Sequence, residues 1–353
     1  MTTSTENVAA RLDLTALVRW LDVAVEGGIG SQVTARLIAG GRSNPTFELT
    51  DGSRYWILRR PPYGHVLPSA HDMGREHRVL SALQDTAVPV PRVVGLCTDE
   101  AVIGAPFYVM DKLEGRTLRT QDDTAVLTED ERAALAGAMI DTLAAIHEVV
   151  PEDVGLGDWG RSVGYLERQL RRWSKQWDES ETRPRSSVID ILRRLSASLP
   201  DLAWSGIVHG DFKIDNIMVA HDEPSRIVGV LDWEMATLGD TLSDVGILCS
   251  FWDQEGEPFN PISAGATALP GFGSRESVVG RYAERRGVDV GCLDWYMAFA
   301  DFKLAVILEG IHARHLQRQT VGDGFEGVGA MVDPLLERAL AIASASSIPA
   351  LRG

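Results

Sequence analysis

The chain has 353 residues, 44% of them apolar, three cysteines and a formal net charge of −16. That length admits two lobes with separate cores, and the composition is that of an ordered globular protein. The acidity argues against a nucleic-acid binder, which needs a clustered basic surface, and disfavours anionic membranes. A cationic ligand would be drawn to such a field, although acidity also serves solubility. Cys97, Cys249 and Cys292 are widely spaced with no Cys-x-x-Cys pair, so buried free thiols are expected rather than a disulfide framework or zinc site. The first residues lack a basic stretch followed by an apolar one, and no segment approaches the roughly 18 to 20 apolar residues that span a bilayer. The reading is a cytoplasmic protein.

Asp13 can cap a helix over 14–25, where Leu17, Trp20, Leu21 and Val25 recur at a helical period. Strands are expected at 32–39, 46–50 and 54–59, the last two joined by the hairpin signal Asp51-Gly52 and the third stopped by Pro61-Pro62. A helix follows at 71–83, and after Val88-Pro-Val-Pro91 come strands at 93–97 and 107–110. Beyond 111 the pattern turns helical. Thr128-x-x-Glu131 is a capping box ahead of Leu135, Met139, Leu143 and Ile146. Further helices are expected at 162–178, 187–198, 241–251, 275–286, 291–317 and 328–344. Short apolar strands lie among them, Ile207-Val208 with 217–219, and another at 227–231. The stretch 253–273 has the length of a functional loop. This pattern predicts an α+β chain: a small antiparallel-sheet lobe over 1–110 and a larger, mostly helical lobe over 111–353.

Transfer of a γ-phosphoryl group to a hydroxyl needs a carboxylate for the acceptor, oxygen ligands for Mg²⁺, cationic charge on the phosphates and a cover against water. His209-Gly-Asp211-Phe-Lys213-Ile-Asp-Asn216 lies in a loop between apolar strands, where Asp211 can project as that carboxylate. Asn216 offers an amide oxygen suited to a hard cation, and Asp232, ending the strand at 227–231, offers a second oxygen. Lys213 would bring positive charge to the moving group. Any of these residues alone is ordinary turn chemistry. Their order and spacing together point to phosphoryl transfer.

His-Gly-Asp-x4-Asn followed by Asp232-Trp233-Glu234 resembles the aminoglycoside phosphotransferase and choline kinase superfamily. The resemblance implies the protein-kinase-like two-lobe fold, ATP and Mg²⁺ as cofactors, and a small-molecule hydroxyl substrate. Asp-Trp-Glu in place of the Asp-Phe-Gly of protein kinases favours a small acceptor. The same likeness implies that Arg59, on the third strand, holds nucleotide phosphates and is set by Glu76 on the next helix. Arg60 is the fallback if the strand is shifted. It places the connection Gly40-Gly41-Arg42-Ser43-Asn44 over the phosphates, with Gly41, Ser43 and Asn44 as contacts, and Val109 and Met110 as the strand whose backbone meets adenine. Asp244 is expected to brace the loop, and His209 to orient it.

Arg42-Ser-Asn-Pro-Thr46, Leu58-Arg-Arg-Pro-Pro62, Arg168-Gln-Leu-Arg-Arg-Trp173 and Gly310-Ile-His-Ala-Arg314 resemble the phosphotransferase domains associated with acyl-CoA dehydrogenases. This implies a hydroxylated acyl compound as acceptor. Lys303 and Arg314, eleven residues apart and so within ~20° on one helix face, suggest basic ends of a groove over Ile307, Gly310 and Ile311. The plainer reading is a packed helix with snorkelling ends. The alternatives are an aminoglycoside O-phosphotransferase, and an inactive kinase-like nucleotide-binding module.

Overall fold

The computed structural model describes residues 12–30, 32–38, 44–62, 72–202, 204–254, 260–319 and 324–353. It divides into two compact units. The first runs up to Gly115 and takes in Val228–Glu234; the second comprises Arg116–Ile227 and Met235–Gly353. The boundary therefore falls five residues beyond 110, and the segment bearing Asp232 returns to the first unit.

In the first unit, α1 (Leu14–Ala24) precedes β1 (Thr34–Leu37), β2 (Thr46–Thr50), β3 (Tyr55–Arg59), α2 (Met73–Leu83), β4 (Val93–Cys97) and β5 (Phe107–Asp111). The five strands form one antiparallel sheet in the order β1-β2-β3-β5-β4. Because side chains alternate across a strand, Phe47, Leu49, Trp56, Leu58, Phe107 and Val109 share one face, where Leu17 and Leu21 of α1 join the same buried cluster. The register pairs Arg59 with Tyr108, which puts both on the opposite face. Asp72 caps α2 by accepting from the Arg75 amide at 3.0 Å, and that helix buries Met73, Glu76, Val79, Leu80 and Leu83. Glu76 is thus the one charged member of an otherwise apolar face.

The second unit contains β6 (Arg116–Thr117), α3 (Gln121–Ala125), α4 (Glu129–Glu148), α5 (Tyr165–Ser180), α6 (Ser186–Ala197), β7 (Ser205–Val208), β8 (Ile217–Val219), β9 (Thr237–Asp240), α7 (Leu242–Ser250), α8 (Arg275–Arg286), α9 (Leu293–Leu316) and α10 (Val332–Ala345). The capping box forms as expected, with the Glu131 amide donating to Thr128 Oγ1 at 3.2 Å and the Thr128 amide to Glu131 Oε2 at 2.7 Å. One pairing differs from expectation. β7 pairs with β9, and residues 217–219 pair instead with β6. Thr237-Leu-Gly-Asp240 has no apolar alternation to announce a strand. Gly239 is there because a Cβ would come within 2.6 Å of the Tyr165 ring.

The helix α9 is apolar on every side and buries fifteen residues, among them Asp301, Lys303 and Glu309. It is therefore a core helix rather than an amphipathic one. That agrees with the plainer packed-helix reading rather than with a groove between Lys303 and Arg314: Lys303 is buried and Arg314 exposed. The described part of the loop after α7 is tied down, since the Asp253 amide donates to Thr267 Oγ1 at 2.9 Å and Asn260 Nδ2 to the Ser250 carbonyl at 2.9 Å.

Candidate active site

In the first unit the chemistry gathers around Arg59. Its Nη1 lies 2.5 Å from Glu76 Oε1, and its Nη2 lies 3.2 Å from Asp232 Oδ1 and 3.9 Å from Glu234 Oε2. Burial works against the guanidinium charge, but Glu76, with Asp232 and Glu234, more than offsets it, so Arg59 stays protonated. Burial also pushes the Glu76 carboxyl up, against the pull of Arg59. Arg60, the fallback, points elsewhere and donates to the Ile103 carbonyl at 3.1 Å.

Asp232 follows the short strand Ile227–Val230 and takes a left-handed backbone at φ 63, a conformation that aspartate tolerates better than bulkier residues. Trp233 fixes the turn by donating from its indole to the Val230 carbonyl at 3.0 Å. Asn44 is buried and donates from Nδ2 to Glu234 Oε2 at 3.1 Å. Gly41 and Ser43 lie outside the described residues.

Val109 and Met110 need correction as backbone contacts for adenine. Both are in β5, which has β3 on one side and β4 on the other, so their amides and carbonyls belong to ladders. Backbone outside the sheet begins where the chain leaves it, at Leu113 and Glu114. The Asp111 and Lys112 amides still donate, to Arg92 and Tyr55.

The second unit presents Asp211. Lys213 Nζ lies 2.9 Å from each of its carboxylate oxygens, and Asn216 Nδ2 donates to Asp211 Oδ2 at 2.9 Å and to its carbonyl at 2.8 Å. A 3₁₀ turn, Ile214–Asn216, carries Asn216 back towards Asp211. With its Nδ2 so engaged, Asn216 turns its amide oxygen away from Asp211. Lys213, expected to bring positive charge to the transferred group, is paired with Asp211 and sits 4.7 Å from the Phe251 ring centroid.

The loop is pinned from below by Asp244. Its two oxygens accept the His209 amide at 2.6 Å and the Gly210 amide at 2.7 Å, the bracing read from the sequence. Burial would raise the Asp244 carboxyl, yet the His147 ring and the Gly210 amide hold it below the usual range. His147, at 3.1 Å from Asp244 and 2.6 Å from the Tyr282 hydroxyl, is buried and held neutral, so Nε2 donates to the carboxylate and Nδ1 accepts from the tyrosine. Sequence reasoning missed His147 and Tyr282, which lie 97 and 38 positions from Asp244 and share no local pattern with it. Glu234 was visible in the Asp-Trp-Glu segment, but nothing there signalled its bond to Asn44.

Residues 34–276 match the model of the phosphotransferase enzyme family. The chain belongs to that family. Acyl-CoA dehydrogenase family member 11 of Rattus norvegicus is 34% identical over 350 residues, which is 96% of this chain and 44% of the relative. The probable acyl-CoA dehydrogenase IBR3 of Arabidopsis thaliana is 36% identical over 359 residues, 94% of this chain and 43% of the relative. This phosphotransferase-family chain thus spans less than half the length of those relatives. A crystal structure from Ralstonia eutropha, provisionally named an aminoglycoside phosphotransferase, is 34% identical with a TM-score of 0.80, covering 94% of this chain and 98% of that one. APH(4)-Ia in complex with ADP and hygromycin B shares the fold at 18% identity and a TM-score of 0.59, over 92% of this chain and 97% of that one.

Proposed function

We propose that this phosphotransferase-family chain is a kinase that uses ATP and Mg²⁺ to phosphorylate a hydroxyl of a small molecule. The observation that carries the reading is Asp211, a carboxylate held between Lys213 and Asn216 on a loop whose backbone is pinned by Asp244. Asp211 takes the proton of the acceptor hydroxyl as its oxygen bonds to the γ-phosphorus, and the bond from that phosphorus to the bridging oxygen breaks, leaving ADP. Arg59, kept charged and fixed by Glu76, answers the nucleotide phosphates.

The donors suit a hard divalent cation. Asp232, which is partly exposed and engages Arg59 through one oxygen, and Asn216, whose Nδ2 is engaged with Asp211, are the residues that would hold Mg²⁺. The ion would supply charge neutralisation on the phosphate oxygens.

For the acceptor we favour a hydroxyacyl compound, supported by the names of the relatives that match nearly all of this chain. The name of the Ralstonia eutropha structure supports a second reading, an aminoglycoside. Among the described residues no helix is long and apolar enough to cross a membrane, which is compatible with a cytoplasmic substrate. The test is a panel of hydroxyacyl compounds and aminoglycosides incubated with Mg·ATP and read by ADP formation and product mass. A phosphorylated hydroxyacyl product supports the first reading and a phosphorylated antibiotic the second. Neither product and no ADP would point to an inactive nucleotide-binding module.

A further inference from the structure

Of the 34 basic residues in the chain only four are lysines, Lys112, Lys175, Lys213 and Lys303. Lys213 faces Asp211. Lys303 also reaches the catalytic loop, from the middle of α9: its Nζ donates to the Gly210 carbonyl at 2.8 Å and lies 5.6 Å from the Trp173 ring centroid. It is buried, and among the described residues no carboxylate lies within ion-pair distance of it. An ammonium in such a place is costly, and a methionine would fill the same volume without that cost.

The carbonyl that Lys303 holds belongs to the peptide whose nitrogen is that of Asp211. The other end of this peptide is held too, because the Asp211 amide donates to His209 Nδ1 at 3.2 Å. Gly210 turns through φ +83, where a Cβ would come within 2.7 Å of the Met235 carbonyl oxygen, so the chain here has no alternative residue to stiffen it. A cavity of about 20 Å³ lined by Tyr165, Gln169, Gly210 and Lys303 lies alongside, the size of one water, so a guanidinium would not fit.

We propose that Lys303 is a positioning residue, whose ammonium fixes the Gly210–Asp211 peptide and thereby aims the Asp211 carboxylate. Its catalytic consequence rests on the kinase reading above; the clamp itself does not. Burial pushes the Lys303 amine down to about 8; Asp211 and Asp244 favour its charge, while Arg172 and Lys213 oppose it. The clamp should therefore weaken, from a charge-assisted to a neutral hydrogen bond, as the pH rises through that value.

Hydrogen exchange of loop peptides covering 207–216, corrected for intrinsic rates, tests this in the whole chain. Wild type is expected to lose protection about tenfold between pH 7 and 9.5, the worth of one charge-assisted hydrogen bond. Lys303→Met should show the low protection already at pH 7, without a pH step, and Lys303→Gln, which keeps a neutral donor, should fall between. Equal protection in wild type and Lys303→Met, or no step near pH 8 in wild type, would overturn the clamp; the wild-type step needs no variant to fold. ADP release from Mg·ATP on the same proteins should fall about tenfold in kcat at unchanged KM for ATP in Lys303→Met. A raised KM with unchanged kcat would make Lys303 a binding residue instead. Absence of ADP release by wild type, with the exchange result as expected, would sink the kinase reading and leave the clamp standing.

Discussion

Asp211 makes three side-chain contacts with Lys213 and Asn216, and each uses a carboxylate oxygen as acceptor. Asp211→Asn keeps the shape and removes the proton acceptor. Its turnover should fall by about two to four orders of magnitude while Mg·ATP affinity, read by calorimetry, stays close to wild type. Arg59→Met acts differently, because it strands Glu76, 2% exposed, without its partner. Denaturant unfolding should show a loss of about 3 to 5 kcal/mol, and the double variant Arg59→Met/Glu76→Leu should recover much of it. Lys303 works in the opposite direction on stability. Its amine is lowered to about 8 in the fold against 10.5 for an ordinary lysine, so the unfolded chain binds more protons between those values. Its destabilisation, roughly 3 kcal/mol, is complete below pH 8 and fades as the pH rises to 10.5. Melting temperature should therefore rise across that window relative to Lys303→Met, while loop protection falls. At this scale the sequence was legible where contacts follow from local spacing, as for Asp211 with Lys213 and Asn216. It was silent for His147, and it pointed Lys303 at a groove rather than at Gly210, because their partners lie about a hundred residues away in the chain.

Among the elements, β2, β3, α2, β4 and β5 follow their hydrophobic periods closely, and the register that puts Arg59 beside Glu76 comes from the same alternation. The strand β9 was not legible, because its four residues were chosen by contacts rather than by period. Gly239 makes room for the Tyr165 ring on the neighbouring helix α5. Gly239→Ala should cost about 1 to 3 kcal/mol in denaturant unfolding through overpacking. A cost near zero would mean that the ring is not seated against β9. The helix α9 differs in another way: a basic pair at matching angles suggested the ends of a groove, but Lys303 is buried in a largely apolar helix while Arg314 is exposed.

For the molecule as a whole, family membership is secure across residues 34–276, and identity to the curated relatives extends over nearly the whole chain while covering less than half of theirs. A net charge of −16 left the ligand open, because the overall charge does not say which groups face it. The two units carry different halves of the proposed chemistry: phosphate recognition with Asp232 in one, the acceptor carboxylate with Asn216 in the other. The central claim is that these residues together perform Mg·ATP-dependent phosphorylation of a hydroxyl. Its most direct test is ADP formation with the hydroxylated-acceptor panel, comparing wild type with Asp211→Asn at equal, folded concentrations. The account predicts acceptor- and Mg²⁺-dependent ADP formation by wild type and a drop of at least about a hundredfold in the variant. Undiminished turnover by Asp211→Asn, or no Mg²⁺-dependent turnover by wild type with any acceptor, would contradict it.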